Sequence, residues 1–240
     1  MICILAALKK EIDSFLDILN KVKKKKVSGL ACYHGSLHEK DVCIIKTGVN
    51  RHDIDPAIFN NCTEIISTGF CGALIPELKA GDIVVSAEVL SADNMLLDKL
   101  FKDNKGQASV DMVPVEKIPS VEGISKEIMS FFQNEGILVH CVRTVTAARV
   151  IKNYNEKTML HAATGAVSVD MEDCHRIKLA KRLGTRFISI RSVFDELHDE
   201  VPGFKSGFIF HSSLPSLLKK LSAAQEGIAL SLEKMLEILI

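Results

Sequence analysis

The sequence predicts a single α/β domain in which helices flank a mixed, mostly parallel central sheet. Two observations point to this class. Short apolar runs rich in β-branched residues recur along the chain, and segments with helical periodicity separate them. The chain has 240 residues, of which 47% are hydrophobic. That is enough to bury one large core, so we expect residues 1–240 to form one domain.

Eight apolar runs are predicted to be strands. The stretch SLHEKD between the second and the third of them resembles a tight turn, which predicts a hairpin and therefore a mixed sheet. The predicted strands cover residues 2–8, 32–37, 42–46, 64–69, 82–91, 137–145, 166–170 and 187–193.

Five segments show the clearest helical periodicity, at residues 11–19, 125–134, 156–163, 172–183 and 214–239. Gly184 lies where the fourth helix should end, and Pro215 lies where the last helix should begin. Two stretches are predicted to lack regular structure. The lysine run at residues 23–26 is expected to be a solvated connector, and residues 93–121 a functional loop or an interface element.

Charge and cysteine content exclude several classes of function. Thirty basic residues balance 30 acidic ones, so no overall field would recruit nucleic acid or a charged membrane. The seven cysteines show no C-x-x-C spacing and lie mostly in apolar runs, which favours buried reduced thiols and a cytoplasmic location. The stretch MICILAAL is too short for a signal segment or a membrane span. We therefore expect a soluble protein without stable membrane insertion.

Polar groups cluster at or near the predicted ends of four strands, in the segments AALKKEI, STGFCGAL, VDMED and IRSVFDE. The carboxyl ends of strands are where α/β proteins bind ligands. In the second segment, Gly69 and Gly72 would let the backbone turn sharply or approach a ligand. In the third segment, three carboxylates surround Met171. Capping a helix would account for one or two of them and leave at least one without a structural role.

Several common catalytic motifs are absent from the sequence. It contains no G-x-x-x-x-G-K-[ST], no G-x-S-x-G, no H-E-x-x-H and no G-x-G-x-x-G after the first strand. Cys71 has no histidine near it in sequence, so packing is its better interpretation. The acidic stretch from His198 to Glu200 matches no common pattern of metal ligands, and we expect no metal site.

The four segments resemble, in order and wording, those of the nucleoside phosphorylase superfamily, over almost the whole chain. AALKKEI resembles the family's acidic helix start, TGFCGALIPELKAGDIVVS its most recognisable block, VSVDMED its V-E-M-E motif and IRSVFDE its R-x-x-S-D motif. The likeness is greatest to the methylthioadenosine/S-adenosylhomocysteine nucleosidases, and AATGAVSVDMED also resembles the hopanoid-associated phosphorylases. The resemblance implies a nucleoside phosphorylase-like fold and cleavage of the N-glycosidic bond of a purine nucleoside.

The resemblance also implies roles for individual residues. Asp195 would protonate the purine, and Glu11 would activate the nucleophilic water. Glu172 would bind the ribose hydroxyls, with Met171 against the sugar. The remaining implied contacts are Arg191, Arg149 and Val150 at the base, Gly69 and Phe70 in the glycine turn near the sugar, and Phe204 and Phe208 around an apolar 5′ substituent.

Three departures from the family leave the reaction open between hydrolysis and phosphorolysis. Ser67 stands where the phosphorylases carry a phosphate-binding arginine, Phe70 where a small residue is common, and Phe194 where a serine precedes the acid. No cofactor is expected, and phosphate stays open as a co-substrate. The alternative is a catalytically impaired nucleoside-binding or regulatory protein of the same fold. The expected partners are a small-molecule nucleoside and further copies of the chain, as a homodimer or a higher homo-oligomer.

Overall fold

Ten strands form one sheet within the residues that the computed structural model describes, which are 1–51, 53–102, 121–201 and 215–239. The strands are β1 Ile2–Ala6, β2 Asn20–Val27, β3 Leu30–Leu37, β4 Lys40–Lys46, β5 Glu64–Ser67, β6 Phe70–Ala73, β7 Ile83–Ala92, β8 Val139–Ala147, β9 Ser168–Asp170 and β10 Arg186–Asp195. The helices are α1 Asp13–Leu16, α2 Asn94–Lys102, α3 Val121–Asn134, α4 Tyr154–Thr164, α5 Asp173–Leu183 and α6 Pro215–Ile238. Two short 3₁₀ turns cover Lys9–Glu11 and Pro56–Phe59.

The strand order confirms the predicted mixed and mostly parallel sheet. It is β2-β3-β4-β1-β5-β10-β6-β9-β8-β7, and β7 also pairs with β10, so the last five strands close into a ring. Six of the pairings among the described strands are parallel. Four are antiparallel, among them the predicted hairpin of β3 and β4.

Both faces of the central strand β1 are buried, which explains its continuous apolar sequence. Successive side chains of a strand point to opposite faces, so Ile4 and Leu5 belong to different clusters. Ile4 packs in the cluster that contains Ile228 of α6. Leu5 packs in the cluster that contains Ile177 of α5. The sheet is therefore sandwiched between α6 and α5.

The prediction of a solvated connector at residues 23–26 was wrong, because these lysines lie in β2. This strand pairs antiparallel with β3 at one edge of the sheet, and most of its residues are exposed. Lysines along an edge strand discourage pairing with other chains. No apolar alternation marks such a strand in the sequence, so only its partner reveals it.

Two further elements differ from the predictions. Helix α2 occupies the beginning of the supposedly irregular segment 93–121 and buries Leu97 and Leu100, whereas residues 103–120 lie outside the described part. The predicted strand 64–69 ends at Ser67, and β6 follows after Gly69. None of the helices in the described ranges is long and apolar enough to cross a bilayer.

Candidate active site

A cleft opens where the four polar segments end, and its lining combines apolar side chains with a few carboxylates, as in small-molecule sites. Its walls come from the residues that follow β1 and β8, from β6, and from the ends of β9 and β10. The predicted convergence of these segments is therefore present in the structure. The predicted site residues that line the cleft are Glu11, Phe70, Arg149, Val150, Met171, Glu172 and Asp195.

The Glu11 carboxylate is held by backbone N–H groups at the floor of the cleft. Its Oε2 accepts the N–H of Leu8 at 2.7 Å, and its Oε1 accepts the N–H of Phe70 at 3.1 Å. Gly69, at φ +144°, gives it room, since a Cβ there would lie 2.7 Å from Oε1. Burial raises the pKa of Glu11, and the nearby Glu172 raises it further.

Asp195 ends β10 and reaches the cleft against the second glycine of the same block. A Cβ on Gly72 would lie 2.8 Å from Asp195 Oδ2, so this position also needs glycine. Burial raises the pKa of Asp195, while the ammonium of Lys157 lowers it and leaves a net increase. Lys157 Nζ lies 2.6 Å from Asp195 Oδ2.

Lys157 was missed by the sequence analysis, although its helical register carries a signal. In α4 it shares a face with Leu160 and Thr164, three and seven residues further on, and all three are buried. A lysine on the buried face of a helix requires a partner, because a desolvated charge is costly without one.

Glu172 and Met171 line the cleft just before α5. Glu172 is 7% exposed, and its Oε1 lies 3.5 Å from the backbone nitrogen of Asn50, which donates to it. Its Oε2 lies 3.6 Å from Arg191 Nη1. The carboxylate is thus anchored on one side and faces the cleft on the other, which suits it to accept hydrogen bonds from hydroxyl groups.

Arg191, predicted to contact or orient the base, lies behind the cleft wall. Its guanidinium is 1% exposed and donates to both carboxylate oxygens of Asp173, at 2.6 and 3.1 Å. A third donor reaches the backbone oxygen of Phe70 at 3.2 Å. These contacts hold the wall of the cleft in place.

A second buried arginine, Arg176, was also missed by the sequence analysis. It donates to the backbone oxygens of Leu5 and Thr68 and, at 2.8 Å, to Ser67 Oγ. Ser67 is fully buried and donates to Asp173 at 2.5 Å. The hydroxyl of Ser67, which the family resemblance aligns with the arginine of the phosphorylases, is therefore already engaged.

The remaining predicted residues lie at the rim of the cleft or outside the described part. Arg149 is tied to α2, where its Nη1 donates to Asp98 at 2.9 Å. The rings of Phe70 and Phe194 are 5.4 Å apart, and Phe194 packs against Leu221 of α6.

Burial raises the pKa of the Cys71 thiol and keeps it protonated, which agrees with the packing role predicted for it. Phe204 and Phe208 fall outside the described residues.

The model of the family described as "Phosphorylase superfamily" matches residues 1–225. The chain belongs to the phosphorylase superfamily. It is 26% identical over 240 residues to a 5′-methylthioadenosine/S-adenosylhomocysteine nucleosidase of Buchnera aphidicola subsp. Schizaphis graminum, covering 92% of this chain and 97% of that protein.

Two solved structures of similar proteins share the fold. The S-adenosylhomocysteine nucleosidase from Streptococcus pyogenes, in complex with 5-methylthiotubericidin, superposes with a TM-score of 0.76 at 19% identity, covering 100% of this chain and 97% of that one. Futalosine hydrolase of Helicobacter pylori superposes with a TM-score of 0.74 at 16% identity, covering 99% and 97%. Such similar scores establish the fold and do not choose between substrates.

In this superfamily member, two neighbouring aspartates at the cleft, Asp170 and Asp173, have pKa values that are shifted in opposite directions. Asp170 Oδ1 accepts the N–H groups of Glu172 and Asp173 at 2.9 and 3.1 Å, at the start of α5. Burial and the negative charge of Asp173 raise the pKa of Asp170 to about 8. Arg191 holds the pKa of Asp173 well below its usual range. Near neutral pH, Asp170 therefore carries a proton, whereas Asp173 remains charged.

This proton makes stability depend on pH. The folded pKa of Asp170 exceeds its ordinary value of 3.8, so its contribution is complete below about pH 4 and is lost as the pH rises through about 8. Asp170→Asn resembles the protonated carboxyl and does not titrate. We expect the variant to gain free energy of unfolding relative to the unmodified protein between pH 6 and about pH 9, as measured by denaturant unfolding. A difference that stays constant with pH would contradict the assignment.

Proposed function

We propose that this member of the phosphorylase superfamily hydrolyses the N-glycosidic bond of a purine nucleoside. The observation that carries the proposal is that Glu11, Glu172 and Asp195 converge on one cleft, each held differently. Breaking the C1′–N9 bond builds positive charge on the ribose and requires a proton on the departing base. One group of carboxylates meets both needs.

Asp195 is the general acid. Burial raises its pKa, so the carboxyl retains a proton more readily than an exposed aspartate would. That proton moves to N7 of the purine as the electron pair of the C1′–N9 bond moves into the base. Glu172 meanwhile accepts hydrogen bonds from the ribose hydroxyls, and its charge stabilises the cationic sugar.

Glu11 is the base that activates water, and its position favours hydrolysis over phosphorolysis. Its carboxylate accepts hydrogen bonds from the backbone N–H groups of Leu8 and Phe70, which could otherwise bind an anion. A phosphate at the same place would meet a like charge. The hydroxyl of Ser67 is buried behind the wall and is not available either.

The substrate carries an apolar 5′ substituent. The nucleosidase of Buchnera aphidicola is named for 5′-methylthioadenosine and S-adenosylhomocysteine, both of which have a 5′ thioether. In this chain, Ile151 and Val201 line the cleft, and Val201 directly precedes the segment that contains Phe204 and Phe208. An apolar group near Val201 would leave water on binding.

Purine release from 5′-methylthioadenosine and from adenosine, each with and without phosphate, tests the proposal. We expect free adenine and a free sugar, no dependence on phosphate, and faster release from the 5′-thioether. A sugar 1-phosphate formed only with phosphate would establish phosphorolysis instead. If the protein binds the nucleoside without releasing purine, the impaired regulatory protein suggested by Phe70 and Phe194 is the better description.

The assembly and the cellular location belong to the same proposal. A homodimer, or a higher homo-oligomer, stays a prediction from the family resemblance, as does the cytoplasmic location. All seven cysteines are free thiols, which is consistent with a reducing compartment.

A further inference from the structure

Lys157 places a fully buried ammonium against the proposed acid. Its Nζ lies 2.6 Å from Asp195 Oδ2 and donates to the backbone oxygens of Glu196, at 2.5 Å, and Asp199, at 3.2 Å. An ammonium has three donors, and these contacts use all of them. Lys157 therefore binds the acid and the turn that follows it as one unit.

We propose that Lys157 is a positioning residue for Asp195: it fixes the carboxyl against the base pocket and stabilises the negative charge that Asp195 acquires on giving up its proton. The proposal rests on the proposed function. In the cleavage step the proton leaves Asp195 for the purine, and the carboxylate that remains is buried. A buried carboxylate without a partner is costly, so a cation in contact with it lowers the energy of the product side.

The contacts around Asp195 single out Lys157 for this role. Among the described residues, Lys157 is the one cation in an ion pair with Asp195. The side chain before the acid, where the family has a serine, is the ring of Phe194, which packs against α6. A hydroxyl that could bind the acid is thus replaced by an apolar ring, and the polar contact comes from α4 instead.

Other charged groups also face this corner. The turn after β10 contributes Glu196 and Asp199, and Asp199 raises the pKa of Asp195. From α6, Lys220 pairs with Asp199 at 2.6 Å and with Glu196 at 3.6 Å. The Cys71 thiol of β6 also lies within electrostatic range of Asp195 and remains protonated. Lys220 therefore clamps the same turn without an ion pair to Asp195, which makes it a matched control.

The experiment compares Lys157→Met with Lys220→Met through the pH dependence of kcat/KM for 5′-methylthioadenosine. Activity falls at high pH as Asp195 loses its proton. Lys157 lowers the pKa of Asp195, so its removal should move this alkaline limb upward by at least about one pH unit. The maximal rate should fall by at least about tenfold. Lys220→Met should leave the limb where it is.

Two additions separate the possible failures. Lys157→Gln keeps hydrogen-bond donors for the two backbone oxygens but no charge, and it should show the same upward shift while preserving the fold. The carboxyl resonance of Asp195 in ¹³C-labelled protein, identified by its loss in Asp195→Asn, should titrate at higher pH in Lys157→Met than in the unmodified protein. This NMR titration needs no turnover, so it tests Lys157 even if the proposed reaction fails.

Two results would overturn the role of Lys157. One is an unchanged titration of Asp195 in Lys157→Met and Lys157→Gln. The other is an equal shift in Lys220→Met, which would mean that both lysines act only by holding the turn. Absence of purine release by the unmodified protein would instead count against the proposed function, and the NMR titration would stand by itself.

Discussion

Replacing Asp195 with Asn should lower the rate of purine release by at least about a hundredfold. Asparagine has nearly the same size, and its carbonyl oxygen can still accept the hydrogen bond from Lys157. The fold should therefore persist while the transferable proton is lost. Adenine release from 5′-methylthioadenosine under saturating conditions measures the effect.

Glu196→Gln is the matched control for this substitution. Glu196 is the next residue, the change removes the same charge, and its side chain accepts the N–H of Ala80 away from the cleft. We expect less than about a threefold change in rate. If Asp195→Asn retained turnover close to that of this control, Asp195 would not be the acid.

Glu11→Gln should lower kcat by at least about a hundredfold as well, for two reasons. The amide cannot take a proton from water. In addition, one of its termini becomes an NH₂ group that faces the N–H of Leu8 or of Phe70, so that two donors oppose each other. The variant should lose rate at every substrate concentration, which steady-state kinetics would show.

Asp13→Asn serves as the comparison for Glu11→Gln. Asp13 begins α1, two residues further along, and pairs with Lys9 at the surface. Its loss should leave kcat within about twofold, since exposed ion pairs contribute little. If Glu11→Gln kept the kcat of the unmodified protein, Glu11 would not be the base that activates water.

The predictable parts of the fold are those whose local hydrophobic pattern indicates that they are buried. Strand β1 is a continuous apolar run because both faces of a central parallel strand are covered. The edge strand β2 consists mainly of lysines and polar residues, so nothing local distinguishes it from a loop. Its strand geometry comes from pairing with β3.

The sequence alone predicts that Glu11, Glu172 and Asp195 share one edge of the sheet, because each follows or ends a recognisable strand and such ends meet. The groups that these carboxylates face depend on tertiary packing. The pairing of Asp195 with Lys157, and of Ser67 with Arg176, joins elements far apart in the chain. Partners of this kind depend on where a helix packs on the sheet, and local sequence periodicity does not specify that position. The desolvation and ion pairing that shift the pKa values therefore belong to the folded chain alone.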